Sequence, residues 1–283
     1  MSLLSRLGIR GGVNLQKRFE FKPGVELRCG RVVPGREKST GRKVGLKLIN
    51  AKKAEATREK LKVPNLPTEG EIACAIDSPH VVSSFEHGIT RDGDEFILQE
   101  WIDDGLSLEF LIDRQDRTLA ANCKSLVKQI AKGLMAIHDA GFVHRDVCPR
   151  NIIWDRKEKR LKLADFGMSI PNIQQLKLAN NRSGRPLYMA PEIMRRKPCD
   201  HRVDIFSFGV TCYQICTFQH PWGVTESGPN STLLFDSKLP RDALEVAPDM
   251  SAVLASAIMR CLNPKPEQRI PSIKHFLVAL AGK

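Results

Sequence analysis

The chain has 283 residues and carries 44 lysines and arginines against 32 aspartates and glutamates, a formal net charge of +12. With 42% hydrophobic and 27% charged residues it has the balance of a globular protein, which excludes disordered and fibrous classes, and its length suffices for one large domain or two modest ones. The positive charge is spread over Lys52 to Lys62, Lys157 to Lys162 and Arg195 to Lys197 rather than gathered into one arm. That distribution fits solvated faces and attraction for anionic small molecules, not a nucleic-acid interface, and no zinc-finger or RNA-recognition signature is present.

Residues 1–18 come first. Leu3, Leu4, Leu7 and Ile9 are interleaved with Arg6, Arg10, Lys17 and Arg18, and Gly8, Gly11 and Gly12 interrupt any helix, so a flexible tail is expected. The arginines also break up a signal-peptide core. Next, Phe19 to Phe21, Gly30 to Val33, Lys43 to Ile49, Val81 to Phe85 and Glu95 to Gln99 carry β-branched or alternating apolar residues and read as short strands. Pro64 and Pro67 break the segment after Lys52. Beyond them Glu69, Ile72, Ala73 and Ile76 share one helical face that aims Glu69 inward, while Glu71 points elsewhere.

From about residue 122 the texture becomes helical. Leu126, Ile130, Leu134 and Ile137 recur at helical spacing, and Val203 to Phe218, Met250 to Leu262 and Ser272 to Leu280 are further helix candidates. The boundary falls near Asp103-Asp104-Gly105, which divides a small sheet-rich lobe (19–102) from a larger helical one (103–283). The longest mostly apolar run, Ile205 to Cys216, contains Ser207, Thr211 and Gln214 and is short of the roughly 20 residues a spanning helix needs, so no membrane insertion is expected. Eight scattered cysteines with no Cys-x-x-Cys pair are expected to be thiols in a reducing, cytoplasmic compartment.

The chemistry-bearing residues lie between the helical stretches. His144-Arg145-Asp146-Val147-Cys148-Pro149-Arg150-Asn151 is followed by Asp165-Phe166-Gly167 and then Ala190-Pro191-Glu192. Asp146 supplies a carboxylate able to accept a proton, Asn151 an amide, and Asp165 a second carboxylate beside a glycine that lets the backbone turn. Such a set suits phosphoryl transfer with a metal ion.

These strings resemble the catalytic core of the eukaryotic-type protein kinase family. The resemblance covers roughly residues 19 to 280 and implies the α+β, two-lobed kinase fold with a nucleotide cleft between the lobes. It implies ATP and Mg²⁺ as cofactors, a protein substrate, and transfer of the γ-phosphate to Ser or Thr hydroxyls. Val44-Gly45-Leu46-Lys47 is similar to the family's Val-Ala-Ile-Lys strand, so Lys47 would neutralise the α- and β-phosphates, with Glu69 preferred over Glu71 as its partner. Gly30-Arg31-Val32 matches the end of the Gly-rich loop, where Gly30 and Val32 would cover the nucleotide, but Val25 and Leu27 occupy the places of the first two glycines. Gln99 would guard the back pocket, and backbone groups of Glu100 and Ile102 would bond adenine. Asp165 and Asn151 would hold magnesium, and Asp146 would take the acceptor's proton.

Other implications are structural or regulatory. Asp204, in Asp204-Ile205-Phe206-Ser207-Phe208-Gly209, would accept hydrogen bonds from the catalytic-loop backbone, and Arg269 would pair with Glu192. Ser169 and Ser183 are the hydroxyl residues between Asp165 and Arg185, and a phosphate on Ser183 would find Arg145. Two departures bear on activity. Cys148 stands where Ser/Thr-specific members carry lysine, with Arg150 as the expected compensating cation, and Arg185 stands where they carry the threonine that touches the catalytic aspartate. With the altered loop these leave open a pseudokinase that serves as a binding module, or a kinase of tyrosine or dual specificity. A small-molecule kinase fits less well, since the long segment closed by Ala-Pro-Glu is what seats a peptide. Physiological substrate and oligomeric state are not encoded in any motif.

Overall fold

A computed structural model describes residues 12–177, 184–223, 235 and 238–282. They fall into two compact units: the first runs to Ser78 and resumes over Val82–Asp103, and the second takes Pro79–Val81 and the chain from Asp104 onward. Strands dominate the first and helices the second, as the α+β expectation requires.

The first unit contains, in order, helix α1 (Leu15–Arg18), strands β1 (Phe19–Glu20), β2 (Val32–Glu37) and β3 (Lys43–Ile49), helices α2 (Ala51–Glu59) and α3 (Glu69–Cys74), and strands β4 (Ser84–Ile89) and β5 (Glu95–Glu100). The strands make one antiparallel sheet in the order β1-β2-β3-β5-β4. Because side chains alternate along a strand, the pairings Val32↔Lys47, Gly45↔Gln99 and Lys47↔Ile97 put Val32, Gly45, Lys47, Ile97 and Gln99 on one face. Val33, Val44, Leu46, Phe96 and Leu98 line the other, which with Leu15 and Phe19 forms the core of this unit. Strand β2 runs on to Glu37 through Pro34, further than its β-branched residues alone indicate. Its neighbour β1 reaches only Arg36 and Glu37, so Pro34 sits where β2 is a sheet edge and its missing N–H costs no ladder bond.

The expected flexible tail is corrected by this core for residues 12–18. Asn14 accepts a hydrogen bond from the Lys17 N–H and caps α1. Leu15 is buried, and Arg18 forms a two-pronged ion pair with Glu86 and a further one with Glu37. Gly12, which on sequence argues against order, is what permits it: a Cβ there would stand 2.0 Å from the Thr90 carbonyl oxygen, so only glycine lets the chain reach the Val13–Ile89 backbone bond.

The second unit contains strand β6 (Leu106–Ser107), helices α4 (Leu108–Asp113) and α5 (Arg117–Asp139), strands β7 (Phe142–Val143), β8 (Ile152–Asp155), β9 (Arg160–Leu163) and β10 (Ile170–Pro171), and helices α6 (Gln174–Lys177), α7 (Pro191–Met194), α8 (Arg202–Thr217), α9 (Ala243–Val246), α10 (Ala252–Cys261) and α11 (Ile273–Leu280). Helix α5 buries the stripe Leu126, Ile130, Leu134 and Ile137 that its spacing predicts, and packs against α8, α11 and β9. Helix α8 is buried on nearly all sides and therefore lacks a polar face. Thr217 on it donates to the Tyr213 carbonyl one turn back, while Ser207 and Thr211 reach the Tyr188 and Val147 carbonyls of neighbouring segments. It ends where Phe218 adopts a left-handed conformation, φ 57°. No helix among the described residues is long and apolar enough to cross a membrane.

One ion pair fixes this unit from within. The Arg269 guanidinium donates to both oxygens of Glu192, at 2.6 and 2.7 Å, with both side chains almost fully buried. Arg269 also donates to the carbonyls of Asn263, Arg202 and Pro264 and lies over the Phe206 ring. Each N–H thus has an acceptor, which is the condition under which a buried pair is tolerated. Replacing Arg269 with Ala would strand the Glu192 charge and is expected to lower unfolding free energy by about 3–5 kcal/mol in urea titration, with Arg269→Lys recovering only part because an ammonium cannot reproduce the fork.

Candidate active site

In the first unit the site residues lie on the sheet face opposite the core. Lys47 extends from β3 and its Nζ lies 2.5 Å from Glu69 Oε1, with both side chains nearly buried. Of the glutamates from 55 to 71, Glu69 is therefore the one that meets the lysine. Glu71 is occupied elsewhere: its carboxylate accepts from the Thr68 N–H while Thr68 Oγ1 accepts from the Glu71 N–H, a reciprocal cap that starts α3. Burial opposes charge on Glu71, yet the bonds from Thr68 hold its carboxyl below the usual carboxylate range. Gly70 lets α3 lie close to β4, since a Cβ there would come within 2.4 Å of the His87 Cβ. The cap and this close approach together aim Glu69 at the strand.

The phosphate-loop positions are distinct from a glycine-rich flap. Val25 and Leu27 turn inward and pack against the core cluster. Gly30 has φ 82° and donates its N–H to the Leu48 carbonyl, which brings the chain back to the sheet, and Val32 opens β2. At the end of β5 the Glu100 N–H donates to the Ser83 carbonyl and the Glu100 carboxylate accepts from the Ser83 N–H, so this peptide is fixed before Ile102.

In the second unit the decisive group is Asp204 on α8. It is fully buried and accepts hydrogen bonds from the backbone N–H groups of His144 and Arg145, both at 2.7 Å, and lies 2.9 Å from His138 Nε2. Arg145 occupies the left-handed region, φ 67°, where a side chain is strained. The two bonds to one carboxylate hold it there, and the turn it makes presents Asp146. The Asp146 N–H in turn donates to His144 Nδ1 at 3.2 Å. The other ring nitrogen, Nε2, lies 3.3 Å from the Ala164 carbonyl, which only an N–H at Nε2 can satisfy, so the ring ties the Asp146 loop to the Asp165 loop.

Asn151, on the 3₁₀ turn Pro149–Asn151, donates its amide to Asp146 Oδ2 at 2.7 Å and to the Asp146 carbonyl at 2.9 Å. Its backbone carbonyl accepts the Ala164 N–H, and the next residue, Asp165, has φ 68° and accepts the Gly167 N–H. Asp146, Asn151 and the Asp165 segment are thus assembled by one continuous set of bonds. The Asn151 Nδ2 is committed to Asp146, which leaves its acceptor oxygen as the polar group the amide can offer a ligand. That oxygen and the Asp165 carboxylate are oxygen donors, the chemistry that fits magnesium. Among the described residues no three His, Cys, Asp or Glu side chains converge on a metal site.

The two sequence departures resolve differently from expectation. Arg150, the expected compensating cation, has an exposed side chain and makes no ion pair among the described residues. The cation that stands beside the aspartate is Arg185, whose Nε lies 3.6 Å from Asp146 Oδ1. The 3₁₀ turn places the Arg150 side chain outward because its neighbours Pro149 and Asn151 are the buried ones. Cys148 is fully buried with its sulfur 3.8 Å from Asp146 Oδ1. Burial and the Asp146 charge push its thiol up to about 12, so it is neutral. The signal for Arg185 was its position in the segment before Ala-Pro-Glu. Ser183 lies outside the described residues, while Ser169 Oγ is occupied as a donor to the His144 carbonyl.

The pH behaviour of the anchor follows from its surroundings. Burial works against charge on Asp204, but the His138 hydrogen bond and the neighbouring His138 and His144 rings and Arg145 N–H outweigh it and keep its pKa below that of an ordinary aspartate. A carboxyl depressed in the folded state adds stability above its unfolded pKa and loses it as pH falls through the folded value. Asp204→Asn is expected to cost roughly 3 kcal/mol at neutral pH, to flatten the acid limb of the stability profile, and to lower the turnover of any reaction that uses Asp146. Urea titrations from pH 3 to 8 check the first two.

The family model described as protein kinase domain matches residues 28–278. Similar curated proteins include the human serine/threonine-protein kinase Nek5, 32% identical over 201 residues, and its mouse counterpart, 30% identical over 250 residues, covering 70% and 88% of this chain. The Arabidopsis thaliana serine/threonine-protein kinase ATG1a is 32% identical over 211 residues, 71% of this chain. The chain spans 27%, 38% and 32% of the length of these three relatives. A match that runs through β3, the Asp146 loop and the Asp204 helix and ends within α11 takes in both units, and on that footing the chain belongs to the protein kinase family.

Proposed function

We propose that this chain is an ATP-dependent protein serine/threonine kinase. The observation that carries this reading is the 2.7 Å bond from the Asn151 amide to Asp146, which binds a proton acceptor and a metal-ligand candidate into one rigid group. Asp146 orients the acceptor hydroxyl and takes its proton as the oxygen attacks the γ-phosphorus. The bond from that phosphorus to the β–γ bridging oxygen breaks, and ADP leaves with the electron pair. Lys47, held by Glu69, would offset the charge of the α- and β-phosphates, and Asn151 and Asp165 would hold Mg²⁺. When bound, the ion neutralises charge on the phosphate oxygens. The Glu100 carbonyl and Ile102 N–H serve adenine, with Gly30 and Val32 above the nucleotide.

Serine and threonine are the preferred acceptors because the relatives are described as serine/threonine kinases and because Tyr188-Met189-Ala190 follows the Ser/Thr pattern. A reducing, cytoplasmic setting belongs to the same proposal and is supported by eight free thiols, four of them buried. A second reading, a pseudokinase that binds partners without transfer, draws on Val25 and Leu27 in the places of loop glycines.

Purified chain with γ-labelled ATP, Mg²⁺ and casein, followed by phosphoamino-acid analysis, decides between them. The expected result is label on serine and threonine, lowered at least about 100-fold by Asp146→Asn, the scale on which positioned acid–base groups act. Transfer absent from the wild type, with no Mg²⁺-dependent nucleotide binding, would sink the kinase reading.

A further inference from the structure

The catalytic loop carries a buried, neutral thiol at Cys148 and points Arg150 into solvent. Yet phosphoryl transfer spreads negative charge over the phosphoryl oxygens as the bonds change, and a side-chain cation on the acceptor side adds to what a metal ion and Lys47 supply. Arg185 is the cation that the described residues bring to this point. Its Nε is 3.6 Å from Asp146 Oδ1, an ion-pair distance too long for a hydrogen bond. Although the Arg185 side chain is one-third exposed, its Nε atom is buried and has no hydrogen-bond partner among the described residues. A buried N–H donor without an acceptor is costly unless a ligand completes it.

Its placement is fixed from several sides. The Arg185 carbonyl accepts the Tyr188 N–H and starts the 3₁₀ turn Pro186–Tyr188. That turn is bolted to the rest of the unit through Ser207 Oγ donating to the Tyr188 carbonyl at 2.7 Å and His220 Nε2 at 3.0 Å from the Leu187 carbonyl. Burial lowers the pKa of His220, so its ring is neutral and donates through Nε2. Gly184 before it has φ 132°, with the Arg145 carbonyl oxygen 3.2 Å from where a Cβ would stand. Arg185 also borders an open groove of about 760 Å³ within the second unit, whose walls include Glu109, Asp113, Pro149, Tyr188 and Arg241. It therefore reaches from the wall of that groove to the proton-accepting carboxylate.

We infer that Arg185 is a catalytic residue of this chain: its guanidinium takes the place of both the catalytic-loop cation absent at position 148 and the aspartate contact absent at 185, binding the phosphoryl oxygens during transfer while keeping Asp146 aligned. The inference rests on the kinase reading above. The step itself is unchanged: the acceptor oxygen forms its bond to the γ-phosphorus, the bond to ADP breaks with the electron pair leaving on ADP, and the proton goes to Asp146. Arg185 exchanges no proton and contributes charge and two-pronged geometry.

The test is steady-state kinetics with γ-labelled ATP and casein on wild type, Arg185→Ala, Arg185→Lys, Asp146→Asn and the double variant Arg185→Thr with Cys148→Lys, each checked by thermal melting. Arg185→Ala is expected to lower kcat about 100-fold, with KM for ATP within twofold, the scale of losing one preorganised charge donor. Arg185→Lys is expected to keep an intermediate rate, and the double variant to regain at least tenfold over Arg185→Ala, since it moves the cation to the loop. Because that recovery cannot come from restored folding alone, it separates charge from structure even if Arg185→Ala melts early. Should Arg185→Ala keep kcat within threefold of wild type while Asp146→Asn is inactive, the inference fails and the kinase reading stands. A rise in kcat would show that Arg185 blocks the site, and absence of recovery in the double variant would show a structural role. Either overturns the inference, and a wild type that transfers no phosphate overturns both.

Discussion

A carboxylate sealed inside a helical unit is costly unless every one of its oxygens is used, and Asp204 spends its charge on the backbone of another segment. Its two bonds to the His144 and Arg145 N–H groups stabilise a left-handed residue that would otherwise relax. From there the geometry propagates by direct contact. The turn at Arg145 presents Asp146, Asn151 clamps Asp146, and the Asn151 carbonyl holds the Ala164 N–H so that Asp165 follows in its own left-handed turn. One buried charge thus sets the direction of Asp146, Asn151 and the Asp165 segment. It acts from α8, an element with no polar face, which explains why that helix tolerates an aspartate in its first turn.

The second buried charge has a different effect. Glu192 follows directly on the segment that contains Arg185 and Tyr188, and Arg269 lies just before α11. Pairing the two joins the end of that segment to the residues just before the last helix, while Ser207 and His220 hold its middle. The segment is therefore held at its C-terminal end irrespective of residues 178–183, and the guanidinium of Arg185 has a fixed base from which to reach Asp146.

Much of the site was legible in the sequence because it is built from residues whose spacing is itself the mechanism. Asp146 and Asn151 must be five apart to hydrogen-bond across one 3₁₀ turn, and Glu69 could be separated from Glu71 because helical periodicity assigns them to different faces. What was not legible depended on direction rather than position. Arg150 and Arg185 are both cations near the catalytic string, and only the outward turn at Pro149 and the inward anchoring at Tyr188 decide between them. Val25 and Leu27 were visible as missing glycines, but not as residues that pack into a core. The helix Leu15–Arg18 escaped detection for a similar reason. It is four residues long, and its stability comes from Glu86 and Glu37, far away in sequence, rather than from any local periodicity.

That small helix bears on where this domain begins. The match to the family model starts at residue 28, but Leu15 and Phe19 are among the buried side chains of the first unit, each contributing on the order of 1.5–3 kcal/mol of burial. Val13 adds a backbone bond to Ile89, and Arg18 bridges Glu37 and Glu86, on strands near opposite edges of the sheet. A truncation drawn at the edge of that match would cut through the hydrophobic layer that backs Lys47. The family model therefore opens fifteen residues, Val13 to Leu27, inside the folded unit.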